Sequence, residues 1–204
     1  MLLKWIRCAV SDRGLFDQGQ QDWAGLQGIP GFLGQRGGWD TNASSTAHIF
    51  GLWAEPGSYQ AFMRGPHDQL AKRQVGTYTD IDVRVYETLQ IIGHPPGDVA
   101  GGEMLRVARC EVYPPRVSHF TDVQASVWNP GMIRAPGFQG GLLARRDANE
   151  FLVVTQWESA VAHNEYRREH FPRLHERAEP TRDLQFMIGH EITLETAWYV
   201  PPTT

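Results

Sequence analysis

An internal repeat constrains this chain more than any other feature of its sequence. Leu2-Leu3-Lys4-Trp5-Ile6-Arg7-Cys8-Ala9-Val10 aligns without a gap on Met104-Leu105-Arg106-Val107-Ala108-Arg109-Cys110-Glu111-Val112, matching apolar, basic and cysteine positions. Ile29-Pro30-Gly31-Phe32-Leu33-Gly34 then matches Ala135-Pro136-Gly137-Phe138-Gln139-Gly140, and the stretch His48 to Trp53 matches Leu152 to Trp157. Three matches in one order at nearly constant spacing mark a duplicated supersecondary unit, so the 204 residues are expected to divide into two small domains.

Each copy reads as βαββαβ, the ferredoxin-like order. Residues 2–10 and 104–113 are short apolar or β-branched runs and predict strands. Leu15, Phe16, Trp23 and Leu26 follow a Ser-Asp start at mostly helical spacing, and Val117, Phe120, Val123 and Val127 repeat it. Pro-Gly-Phe opens a second strand in each copy, and a third ends on Trp53 or Trp157. Second helices are expected over 57–73 and 158–171, with long last strands over 78–91 and 184–199. The class is therefore α+β, with domains at 1–92 and 103–204 joined by the Gly- and Pro-rich linker 93–102. A ferredoxin-like sheet has helices on one face only, so each copy is expected to cover the other's open face as a single-chain pseudo-dimer. Leu3/Leu105, Gly31/Gly137 and Trp53/Trp157 should then be equivalent, and assembly of two such chains into a homodimer stays open.

With 41% hydrophobic and 21% charged residues the chain has a globular composition. Its net charge of −4, with no block of five like charges, argues against nucleic-acid and membrane partners and for a small-molecule ligand. Cys8 and Cys110 are too few for a disulfide framework and form no Cys-x-x-Cys zinc motif. Lys4 and Arg7 interrupt the apolar amino terminus, so no signal peptide is read and a cytoplasmic location is expected. Phosphate-loop glycines, a Ser-His-Asp order and zinc signatures are all absent from the sequence.

Phe151-Leu152-Val153-Val154-Thr155-Gln156-Trp157-Glu158-Ser159, preceded by Pro136-Gly137-Phe138-Gln139, resembles the antibiotic-biosynthesis-monooxygenase superfamily of dimeric α/β barrels. Within it the second half, Met104 to Tyr199, is similar to the haem-degrading monooxygenases of the IsdG type. The first half is similar to small proteins of the same barrel type and implies fold without chemistry. Carried over residue by residue, the resemblance puts the iron-ligating histidine on His175 and the porphyrin-ruffling aromatic on Tyr166; a ligand there is expected to be walled by Phe171 and Trp157 as well. The oxygen-orienting asparagine falls on Ala108, which has no hydrogen bond to offer. The first-half equivalents are Ile6, Phe62 and Ala71, so one pocket is expected, in the second half.

The resemblance thus implies a monooxygenase using molecular oxygen, with haem and its iron held through His175. Three alternatives stand beside it: a cofactor-independent oxygenase of an aromatic, polyketide-like substrate, a non-catalytic carrier of haem or another flat hydrophobic ligand, and a purely structural or partner-binding barrel. A cofactor-free oxygenase needs a polar group in an apolar cavity to deprotonate its substrate, for which His119, His163, Tyr166 and His175 are candidates. His119 and Asp122 form an i,i+3 pair that reads most simply as a solvated helix face. Trp53 and Trp157 read as core, Cys8 and Cys110 as small buried residues. Pro172 should break the second helix and lift it from its sheet, opening a cavity beside Tyr166, Phe171 and Trp157.

Overall fold

The computed structural model describes residues 1–96 and 101–202. Gly97 to Ala100 of the expected linker, and Thr203 and Thr204, lie outside the described residues. Packing divides the chain into one compact unit of Met1–Glu87 with Ile192–Thr204 and another of Thr88–Glu191. The repeat and the packing therefore cut the chain at different places, because the ends of the two long last strands change sides.

Unit one is built from β1 (Leu2–Val10), α1 (Arg13–Gln21), β2 (Phe32–Asp40), β3 (Thr46–Trp53), α2 (Pro56–Arg64), α3 (His67–Ala71) and β4 (Tyr78–Ile92), whose last residues belong to unit two. Asp12 caps α1, its Oδ1 accepting the Leu15 N–H at 3.0 Å. A 3-10 turn, Asp22–Leu26, continues the helix. The expected second helix is two short ones, because Gly65-Pro66 ends α2 and restarts the chain as α3.

Unit two repeats the plan with β5 (Met104–Val112), α4 (Val117–Val123), α5 (Asn129–Ile133), β6 (Phe138–Arg145), β7 (Glu150–Trp157), α6 (Ala160–Glu169), α7 (Phe171–Ala178) and β8 (Leu184–Leu194). A π-helical turn, Gln124–Trp128, joins α4 to α5. The second helix breaks at His170, ahead of Pro172, and its second part runs to Ala178, beyond the expected end. β8 stops at Leu194 instead of continuing to residue 199; the 3-10 turn Thr196–Trp198 delivers Trp198 onto Trp39 and Phe16 in the core of unit one.

The hydrogen-bonded strand order is β1-β3-β2-β8-β5-β7-β6-β4, an antiparallel order that closes into a barrel. Each copy has the ferredoxin-like order, β4-β1-β3-β2 and β8-β5-β7-β6. Register repeats residue by residue: Trp53 lies opposite Leu2 and Phe32, and Trp157 opposite Met104 and Phe138. Even the irregularity recurs, between Phe32 and Gly34 and between Phe138 and Gly140. Gly31 and Gly137, at φ +77° and +75°, turn the chain into these strands. Among the described residues no helix is long and apolar enough to cross a membrane.

Candidate functional site

Unit one holds a cavity of about 330 Å³ between the helices and the helix-facing side of its sheet. Strand alternation sends Lys4, Ile6 and Cys8 of β1 to that side. Register then sets Lys4 opposite Gly51 on β3, and Gly51 opposite Gln35 on β2. A β-carbon at Gly51 would meet only Trp53 Nε1, at 3.7 Å, so the floor is open because one side chain is missing from it. Gln20 of α1, Trp23 and Leu26 of the following turn, Phe62 and Met63 of α2, His67 and Ala71 of the α3 segment, and Gln74 close the other walls. Ile81 and Val83 of β4 also line the cavity and are both 44% exposed, so the cavity reaches solvent along that strand.

The lining is apolar with a few polar groups left unsatisfied. Lys4 is 7% exposed; its Nζ lies 4.0 Å from Met63 Sδ and 5.6 Å from the centre of the Tyr59 ring. No carboxylate pairs with it among the described residues, and burial pushes its ammonium down to about 8. Trp23 Nε1 donates to Gln74 Oε1 at 2.9 Å, which orients that carboxamide and leaves Gln74 Nε2 buried without a partner. Gln35 Nε2 and Gln20 Oε1 are likewise buried and unpartnered. Buried polar atoms nearly always find partners, so three orphans around one cavity make it a candidate ligand site. The His67 imidazole packs edge-on against Phe62 at 5.5 Å, with Nδ1 2.9 Å from Asp68 Oδ1. Burial and Asp80 push the Cys8 thiol up to about 12, leaving it an inert wall, as read from the sequence.

At the matching places unit two carries different side chains. Arg106 stands for Lys4, Thr155 for Gly51 and Gly141 for Gln35. Trp157 Nε1 donates to Thr155 Oγ1 at 3.0 Å, a bond that Gly51 cannot offer Trp53. The Tyr166 ring lies 4.8 Å from Trp157, and burial pushes its hydroxyl up. Phe171 is 6.4 Å from Tyr166 and His175 5.5 Å from Phe171, so Trp157, Tyr166, Phe171 and His175 form a chain of ring contacts that ends on an exposed histidine. Ala108 packs elsewhere, against the cluster of Cys110, Phe120 and Phe151. His163 is buried against Trp157 at 5.3 Å, and burial with the nearby Arg106 and Arg167 pushes it down to about 4. His119 pairs with Asp183, Nδ1 to Oδ2 at 2.8 Å, instead of with Asp122.

Beside Tyr166 the rings thus pack on one another in tilted and edge-on contacts, and the described cavity lies in the copy that the resemblance reads as without chemistry. Ile6, Phe62 and Ala71, the counterparts of Ala108, Tyr166 and His175, all line it. The carried-over positions thus have their first-copy counterparts at this cavity. Sequence reasoning passed over Lys4, Gln20, Gln35, Gly51 and Gln74. One signal was present: of 19 basic side chains only Lys4 and Lys72 are lysine, the rest arginine.

Residues 2–86 match the family described as domain of unknown function (DUF4937). A curated relative, the uncharacterized protein YdbC of Bacillus subtilis (strain 168), is 33% identical over 93 residues, covering 43% of this chain and 78% of its own length. Among solved structures, a candidate monooxygenase from Lactobacillus acidophilus NCFM aligns over 99% of this chain and 96% of its own at 14% identity, TM-score 0.78. Another from Fusobacterium nucleatum aligns over 95% and 91% at 10% identity, TM-score 0.79. LmHde, a heme-degrading enzyme from Listeria monocytogenes, aligns over 99% and 100% at 11% identity, TM-score 0.56. At 33% identity over 78% of that relative's length the chain belongs to the YdbC family, and its fold is that of the antibiotic-biosynthesis-type monooxygenases.

Proposed function

We propose that the protein is a cofactor-independent monooxygenase whose reaction takes place in the cavity of unit one, on a small, flat substrate carrying an acidic phenol or enol. One observation carries the reading: a buried amine without a carboxylate partner opens onto an apolar cavity. An amine with its ammonium lowered to about 8 is partly free near neutral pH and suited to take a proton. The substrate anion is electron-rich enough to pass one electron to oxygen. Radical and superoxide then combine at carbon, and the hydroperoxide loses water to leave a carbonyl. One oxygen atom enters the product, the other leaves as water, and the substrate supplies all the electrons. The candidate monooxygenases among the structural neighbours support the oxygen chemistry.

Haem through His175 has the heme-degrading neighbour in its favour. The residues present do not fit it: the rings of Trp157, Tyr166 and His163 fill the space a porphyrin face would need, and Ala108 offers the iron side no donor. The cavity of unit one is near the lower end of the roughly 300–1,000 Å³ typical of ligand pockets, which suits a small ring system.

The test is oxygen uptake with hydroxylated anthrones and naphthols in the presence of a chelator. Uptake is expected to rise with pH through about 8, and Lys4→Met should slow it by about 100-fold or more, the range of general base catalysis. An absence of uptake across the panel, or full rates in Lys4→Met, would overturn the proposal.

A further inference from the structure

The amine of Lys4 sits where a second kind of chemistry is open to it. The chain meets its need for positive charge elsewhere with arginine, and uses lysine at two positions only. Lys72 is exposed; Lys4 is buried at the wall of the cavity. Arginine fills the matched place in unit two, where Arg106 Nη1 donates to the backbone carbonyls of Val107 and His190. A guanidinium keeps its proton and is no nucleophile, whereas a buried amine gives its proton up and is one. The exchange of Arg106 for Lys4 between the two copies therefore changes what the position can do as well as the shape of its side chain.

The rest of the wall suits an electrophile with a carbonyl. Gln35 Nε2 and Gln74 Nε2 are buried donors without acceptors, and Gln20 Oε1 is a buried acceptor without a donor. Donors draw density from a carbonyl oxygen as nitrogen adds to its carbon, and an acceptor takes the hydroxyl hydrogen of the carbinolamine that results. Trp23, Phe32, Trp53 and Phe62 present aromatic surface to the body of the ligand. Gly51 leaves room for that body directly beside Lys4.

We infer that Lys4 forms a reversible imine with flat aromatic aldehydes or ketones bound in the cavity of unit one. The nitrogen lone pair adds to the carbonyl carbon, the carbonyl oxygen leaves as water after two proton transfers, and a carbon–nitrogen double bond replaces the carbon–oxygen one. No oxidant or reductant is consumed. The inference shares the cavity and the amine with the proposed oxygenase but uses no oxygen.

Borohydride trapping tests it. The full chain is incubated with 2-naphthaldehyde at pH 8 and reduced with sodium borohydride, and the adduct is located by peptide mass. Lys4 is expected to be labelled at least tenfold faster than Lys72 and the terminal amine. Gly51→Leu, which fills the cavity and keeps the amine, should reduce Lys4 labelling about tenfold while the circular dichroism stays native. Lys72→Arg should leave it unchanged. Labelling first at Lys72 or the terminus, or undiminished Lys4 labelling in a natively folded Gly51→Leu protein, would overturn the inference. Oxygen uptake by the same protein preparation with the anthrone and naphthol panel separates the two readings: trapping at Lys4 without uptake supports the imine and removes the oxygenase, and uptake without trapping does the reverse.

Discussion

Lys4 sits where a positive charge is poorly solvated, and the consequence is measurable as stability. Its ammonium is lowered from 10.5 to about 8 by burial, so between those values the unfolded chain holds a proton that the folded one has released. Stability contributed by this residue therefore rises with pH across that window, and the full penalty is present below about 8. A shift of that size corresponds to about 3 kcal/mol. Lys4→Met should accordingly be more stable than the parent chain at pH 7 by about 1–3 kcal/mol in urea unfolding, with the advantage gone near pH 10.5. A destabilised Lys4→Met at pH 7 would mean that the ammonium is compensated inside the fold. None of this is visible in the string Leu-Leu-Lys-Trp, because a lysine between apolar residues on a strand reads as the solvent-facing half of an alternation. Which face looks at the helices follows from packing alone.

Among the elements, the two irregular strand entries show how closely local backbone was written into the repeat. The Pro-Gly-Phe motif was legible because only glycine takes the positive φ that the turn into β2 or β6 requires. A β-carbon at Gly31 would run into the Ser58 side chain, and one at Gly137 into Ala162. Gly76, at φ +85°, has nothing within 4 Å. Thermal unfolding should therefore separate them: Gly31→Ala is expected to lose about 2–4 kcal/mol from backbone strain and collision together, and Gly76→Ala about 1 kcal/mol from strain alone. Equal losses at the two positions would show that Ser58 moves aside freely. The helix breaks were legible in part. Pro172 was read as a break, but the chain resumes a helix after it as after Pro66, since proline is well tolerated in a first turn. The early end of β8 was not legible, because what stops it is Trp198 seeking the ring cluster of Phe16 and Trp39, a partner nearly the whole chain away in sequence.

At the scale of the whole molecule the architecture could be read from the repeat alone, because matched hydrophobic patterns in one order leave few topologies open. The proposed site could not, because it is defined by differences between the copies. Sequence comparison with haem-degrading enzymes rewards what a position contains, and so it favoured His175. The cavity exists through what Gly51 lacks, and through glutamines whose significance is only that nothing in the fold answers them. Thr155 and Gly51 occupy one place in two copies, and under the proposed function that pair sets how many ligands the molecule takes. In a barrel made of two identical chains a glycine at this place would open both pockets at once. Here the cavity described lies beside Gly51 alone, so under the proposed function a titration with a tight aromatic ligand should reach its end point at one equivalent for each 23.0 kDa of protein, a saturation value that two equivalents in calorimetry would contradict.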